Sequence, residues 1–358
     1  MSKTTANVHI LGAGAMGSLL AHDLKQQFPQ DFHPTLLVKP GKSLDSNTQT
    51  IKLARQIGPN WTTDSVTVDA LKPSDFLSSV TKYEKSGHID NLIISTKAHQ
   101  TASALLPFIP YISEKSNILI VQNGMGIPSL LKEKFWARNC PNIYEVVATH
   151  GAYIDDDGVV RHAAPGKLTI AKFPGENKQD TPAIVQMLLD TPTLNATLVD
   201  YEQFLVIQCE KLVVNCCINP LSALFDCFNG ELLYGGDQLS SMYKRIINEA
   251  ITVLYLEYPM LNQITEASIY LNPERLFTHV VSTTEATAKN SSSMRQDVRM
   301  LRLTEVDNMN GYISYLGKKH KSGTLGNAMI CDLVKMKLAI NKGVNQATTD
   351  SLLDISLK

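Results

Sequence analysis

The sequence predicts an α/β fold: a doubly wound parallel sheet in the amino-terminal part, followed by an all-helical carboxy-terminal domain. Two observations carry that prediction. Short β-branched runs alternate with helical stretches through the first half, the pattern of a parallel sheet built from βα units. From about Tyr201 the strand signals stop and long helical patterns take over. At 358 residues the chain also exceeds what one core usually organises, roughly 150 residues being the common scale of a domain.

In chain order, Asn7–Leu11, Thr35–Val38, Leu92–Ser95, Asn117–Val121 and Tyr144–Thr149 read as strands, and Leu168–Phe173 and Thr197–Asp200 close the same domain. The segment Gly41–Asp90 is polar, and only Ser65–Val68 shows strand periodicity. Helical patterns then run through FLVIQCEKLVVNCCINPLSALF, SSMYKRIINEAITVLYLEY and TEVDNMNGYISYLGKKH. The boundary falls near Glu202, giving residues 1–202 and 203–358.

Composition narrows the function. With 44% hydrophobic and 19% charged residues, the chain has the make-up of a soluble globular enzyme rather than of a disordered segment. The 33 Lys and Arg nearly balance the 34 Asp and Glu, so no net field would collect nucleic acid or an anionic membrane, and a small-molecule partner is expected. The six cysteines form no C-x-x-C pair; Cys216 and Cys217, adjacent in an apolar stretch, read as buried small hydrophobes, not metal ligands. No apolar run approaches the roughly 18 residues that span a bilayer. The amino terminus enters a strand almost at once, which leaves no length for a signal peptide and implies a cytoplasmic address.

Gly12-Ala13-Gly14-Ala15-Met16-Gly17 is a complete G-x-G-x-x-G between a strand and a helix, the mark of a Rossmann-type dinucleotide-binding turn. Gly12 permits the tight turn, Gly14 lets backbone approach a pyrophosphate, and Gly17 lets helix pack on strand. After the second strand an NAD enzyme places an acidic residue on the ribose 2′-hydroxyl. Here the sequence reads Val38-Lys39-Pro40, with Lys42 close by; a cation where a 2′-phosphate would lie favours NADP. Thr96-Lys97 and Gln122-Asn123-Gly124-Met125-Gly126 follow strands, and so stand at the carboxyl ends where open α/β sheets bind ligands.

In the second domain Lys211, Asn215 and Asn219 are four residues apart and share one helix face amid apolar neighbours. A lysine and two amides in such a stretch need polar partners, which a substrate carbonyl and hydroxyls would supply. Pro220 biases Asn219 away from the helical region and bends the helix there. Ser293 and Glu305 on one straight helix would be about 18 Å apart, too far to share a small ligand. Ser293 is therefore expected in a loop, and Glu305 on a helix that starts between Asp297 and Thr304.

Taken together and in order, GAGAMG, STK, QNGMG, EKLVVNCCINPLSALF, NGEL and SSMRQDVRMLRLTEVDNMNGY resemble the ketopantoate reductase family over most of the chain. The resemblance implies an oxidoreductase that moves hydride from NADPH to C2 of 2-dehydropantoate, giving (R)-pantoate for pantothenate and coenzyme A synthesis. It implies Lys211 as proton donor, Asn123 between nicotinamide and substrate, and Asn215 and Asn219 on substrate oxygens. Ser293 would bind the carboxylate, Glu305 the hydroxyl, and Lys97 would stand on the cofactor side. The basic residue after the second strand is Lys39 where bacterial members have Arg, and the Gly41–Asp90 and Lys318–Lys358 regions are longer than theirs. A reductase of another 2-oxoacid, an opine-type dehydrogenase and a non-catalytic NADP-sensing module share parts of this pattern, and a monomer and a homodimer are both compatible with it.

Overall fold

The computed structural model describes residues 6–41, 46–57, 60–76, 88–175 and 180–356. The chain divides into two compact units: residues 1–122 with 127–204, and residues 123–126 with 205–358.

The first unit is built on one eleven-stranded sheet. Its parallel centre comprises β1 (Ala6–Leu11), β2 (Phe32–Leu37), β5 (Asn91–Ile94), β6 (Asn117–Ile120) and β7 (Asn142–Ala148). β5 and β6 are buried on both faces, which is why they read as continuous apolar runs, whereas β1 and β2 expose Asn7 and His33; Ile10, Leu36, Leu92, Ile93, Ile94, Ile118 and Leu119 have essentially no exposed surface. Counted from the middle, β1 pairs β2 on one side and β5 on the other. The strand order therefore reverses between β1 and β5, where doubly wound sheets open their ligand crevice. Helix α1 (Ala15–Gln27) follows β1, with α2 (Thr101–Leu105), α3 (Ile127–Phe135) and α4 (Ala183–Leu189) after later strands.

Two hairpins largely escape the sequence pattern, which shows only Ser65–Val68 of β4. β3 (Thr48–Ile57) and β4 (Asn60–Leu71) form a long antiparallel ladder inside the segment left unassigned, and β4 pairs parallel with β2. Only Ile51, Leu53, Ala54, Val68 and Ala70 of this hairpin are buried hydrophobics, so most of it carries no apolar alternation. β8 (Gly151–Ile154) and β9 (Val160–Ala164) extend the sheet further, and β10 (Leu168–Lys172) runs antiparallel to β7, with β11 (Ala196–Leu198) at its edge. The sheet is thus mixed, not purely parallel. Lys42, proposed beside Lys39, lies outside the described residues.

The second unit is helical. Its spine is α5 (Tyr201–Phe225), joined by α6 (Gly236–Glu257), α7 (Thr265–Tyr270), α8 (Pro273–Ala286), α9 (Ser293–Arg299), α10 (Asn310–Lys319) and α11 (Leu325–Ser356). By length and mean hydropathy α5 is apolar enough to cross a membrane, although Gln208, Glu210, Lys211 and Asn215 interrupt its apolar runs; 67% of its most apolar window is buried inside the fold, as befits a core helix. Leu212, Val213, Cys216 and Cys217 of α5 pack against Ile246, Ile247 and Ala250 of α6 and Ile313 and Leu316 of α10 in a single core. All six cysteines are free, and burial pushes the Cys216 and Cys217 thiols far up, so they remain protonated. α5 stays helical through Asn219 and Pro220, so proline does not displace Asn219 from the helix as expected.

Candidate active site

The glycine turn has the shape its sequence requires. Gly12 adopts φ +118°, and a Cβ there would meet the Thr96 backbone nitrogen at 2.6 Å. A Cβ on Gly17 would collide with the Gly12 carbonyl and Ser95 Oγ, so the first turn of α1 seats directly on the end of β1. Gly14, the residue before α1, would meet nothing within 4 Å. That open side is the approach a pyrophosphate needs, with the free amides at the start of α1 and the positive end of its dipole facing it. Ala13, Ala15 and Met16 complete the turn, and Ser95 Oγ donates to the Gly12 carbonyl at 2.8 Å, tying it to the end of β5. Ser95, placed by sequence at the end of a strand and given no role there, thus braces the turn. These residues fit a dinucleotide.

Lys39 is exposed two residues beyond β2, and Lys97 is half-buried ahead of a short 3₁₀ turn, Ala98–Gln100. Gln122 Nε2 donates to the Thr96 carbonyl and to Thr101 Oγ1, each at 2.6 Å, which pins the loops after β5 and β6 together.

In the second unit Lys211 Nζ donates to Asn123 Oδ1 at 3.0 Å. Asn123 is placed by its neighbour: Gly124 has φ +89°, and a Cβ there would run into the Asn308 backbone. Burial lowers the Lys211 pKa to about 8, opposed by the negative charge of Glu305, which raises it. Glu305 is itself buried, at 5% exposure. Asn219 Nδ2 points at Met309 Sδ at 3.9 Å, a weak contact, and Asn215 lies between Lys211 and Asn219 on the half-buried face of α5. An ammonium with a softened pKa, a carboxylate and three amides are thereby gathered on one side of the helical unit. Such a set can hold a small oxygen-rich anion and give it a proton.

The stretch between Ser293 and Glu305 departs from expectation. Ser293 is not in a loop: Ser292, through its side-chain oxygen, accepts from the Arg295 amide at 3.1 Å and starts α9, leaving Ser293 exposed on the first helical turn. The buried hydroxyl is that of Ser292, 2.7 Å from Ser222 Oγ on α5. The chain does break where geometry demanded, after Arg299, with Leu301 at φ +55°. Glu305, however, precedes a 3₁₀ turn (Val306–Asn308) instead of riding on a helix. The structure joins Lys211 to Asn123 and brings the charge of Glu305 to bear on it; no such link ties in Ser293 among the described bonds.

Because Glu305 raises the Lys211 pKa, Glu305→Gln should move the loss of the ammonium to lower pH. The alkaline limb of a kcat/KM–pH profile, expected near pH 8 in the parent, should fall at more acidic pH in the variant, with KM for substrate raised. An unmoved midpoint and unchanged KM would remove Glu305 from the site.

Comparison with known proteins supplies the family. The model described as ketopantoate reductase PanE/ApbA matches residues 8–175, and its C-terminal counterpart matches residues 203–338. A probable 2-dehydropantoate 2-reductase of Schizosaccharomyces pombe is 35% identical over 94% of this chain and 97% of its own. The 2-dehydropantoate 2-reductase of Saccharomyces cerevisiae is 30% identical over 94% of this chain and 96% of its own. Among solved structures, D-mandelate dehydrogenase in a ternary structure with NADH and anilino(oxo)acetate shares the fold, with a TM-score of 0.74 at 22% identity over 94% of this chain and 100% of that one. Matched across both halves and along nearly its whole length, the chain belongs to the ketopantoate reductase family.

Proposed function

We propose that this chain reduces 2-dehydropantoate to (R)-pantoate with NADPH, residues 1–202 forming the cofactor domain and 203–358 the substrate domain. The observation that carries the reading is the half-buried Lys211 ammonium, held by Asn123 and faced by the charge of Glu305. NADPH, when bound on Gly12–Gly17, Lys39 and Lys97, supplies the hydride. Reduction at C2 leaves an alkoxide, and Lys211 both offsets its charge and delivers the proton. Asn123 keeps the ammonium oriented before the proton moves. Asn215 and Asn219 bind substrate oxygens, Glu305 takes the hydroxyl, and the exposed Ser293 is assigned to the carboxylate. Relatives named 2-dehydropantoate 2-reductase support this substrate over other 2-oxoacids.

The test follows NADPH absorbance with 2-dehydropantoate beside pyruvate and 2-oxoisovalerate. Turnover with the first, and a kcat/KM at least about a hundredfold lower with the others, is expected; equal use of all three would refute the substrate assignment. Lys39 decides the nucleotide: Lys39→Ala should weaken NADPH about five- to tenfold and leave NADH unchanged, as expected of a lost phosphate contact. Equal effects on both would return Lys39 to the solvent.

A further inference from the structure

Pro220 lies inside α5 and has no amide hydrogen, so the carbonyl four residues earlier, that of the fully buried Cys216, loses its helical donor. An unsatisfied buried carbonyl costs about 1–3 kcal/mol. Here it is met from another helix: Asn310 Nδ2, at the start of α10, donates to the Cys216 carbonyl at 3.1 Å. The same Nδ2 donates to Asn327 Oδ1 at 3.0 Å. Asn310 and Asn327 have no exposed surface. Asn327 in turn donates through Nδ2 to Glu249 Oε2 at 2.8 Å, while the backbone amides of Gly326 and Asn327 reach the two Glu249 oxygens at 2.9 Å each. The Glu249 carboxylate thus caps the first turn of α11 from α6, and its charge sets the direction of every bond that follows. Asn327 must turn its donor to Glu249, so its oxygen faces Asn310, and Asn310 is left to give a hydrogen to Cys216.

This chain ends between Asn215 and Asn219, the two amides assigned to substrate. Its last donor, Asn310, stands five residues after Glu305 and directly follows Met309, the neighbour of Asn219. We infer that Asn310 is a positioning residue: by replacing the hydrogen bond that Pro220 removes, it holds the Asn215–Asn219 turn of α5 in register with the Glu305 turn. The inference rests on the proposed reduction of 2-dehydropantoate for its functional readout, and on the fold alone for its structural one.

The test is a pair of substitutions on the full chain. Asn310→Leu, close in shape and without a donor, should raise KM for 2-dehydropantoate at least tenfold and lower Tm, with the NADPH Kd unchanged. Pro220→Ala restores a helical amide to the Cys216 carbonyl; alone it should alter KM less than about twofold, and combined with Asn310→Leu it should recover most of the lost KM and part of the lost Tm. Parental KM in folded Asn310→Leu, or a double variant no better than Asn310→Leu in both measures, overturns the inference. If Asn310→Leu does not fold, a folded and active double variant supports it and an unfolded one overturns it. Absence of turnover by the parent chain would defeat the proposed reaction instead, and the Tm comparison would still decide the role of Asn310.

Discussion

Replacing Lys211 by Ala is expected to lower kcat by 10²- to 10⁴-fold, the usual weight of a positioned general acid, while NADPH binds as before. The split follows from where the residue stands. Lys211 belongs to the helical unit and touches Asn123, whereas the glycine turn that would hold the nucleotide lies in the other unit. Steady-state kinetics beside a nucleotide titration measure it, and near-parental turnover would remove Lys211 from the mechanism. The same substitution has a second signature in stability. Burial lowers the folded pKa to about 8 from the ordinary 10.5, so between those values the unfolded chain binds more protons than the folded one, and stability from this group rises with pH across that window. At pH 7 the full penalty of burying an ammonium is present. Lys211→Met, which keeps the stem and drops the charge, should therefore abolish the rise of stability with pH between about 8 and 10.5, read as Tm across that range.

The second large effect separates two glycines three residues apart. At Gly14 a methyl group meets open space, so Gly14→Ala should leave Tm within about 1 °C and yet weaken NADPH by tenfold or more, because the methyl occupies the side from which phosphate must approach. At Gly17 a methyl group strikes the Gly12 carbonyl and Ser95 Oγ, so Gly17→Ala should lower stability by about 1–3 kcal/mol and impair NADPH as a consequence. Thermal unfolding beside nucleotide titration tests both. Loss of affinity without loss of stability at Gly17, or the reverse at Gly14, would contradict the geometry of the turn.

Much of this architecture was legible because buried strands declare themselves. β5 and β6 are apolar on both faces, β1 on one, and all three end in short functional loops, so their places and the glycine turn could be read residue by residue. The β3–β4 hairpin was not, since nearly all of the first half of β4 is exposed and a ladder of backbone hydrogen bonds leaves no mark on side-chain pattern. β8 and β9 were also missed, although Asp155 Oδ1 accepting from the amides of Asp157 and Val159, with Gly158 at φ +77°, is the turn chemistry that the Asp-Gly pair announces. In the helical unit the four-residue spacing of Lys211, Asn215 and Asn219 revealed a shared face. What spacing cannot reveal is a partner 88 residues away, as Asn123 is from Lys211. Nor can it choose among three consecutive serines, of which Ser292 starts the helix and Ser293 faces outward.

The tetrapeptide Asn123–Gly126 leaves strand β6 and is counted with the helical half of the molecule. A single cut after the first unit therefore parts Lys211 from the tetrapeptide that carries its hydrogen-bond partner. A hybrid that takes residues 205–358 from a relative sets that relative's lysine against the Asn123–Gly126 loop of this chain. A change in the helical half that moves Lys211 must therefore stay compatible with a loop 88 residues upstream in the chain.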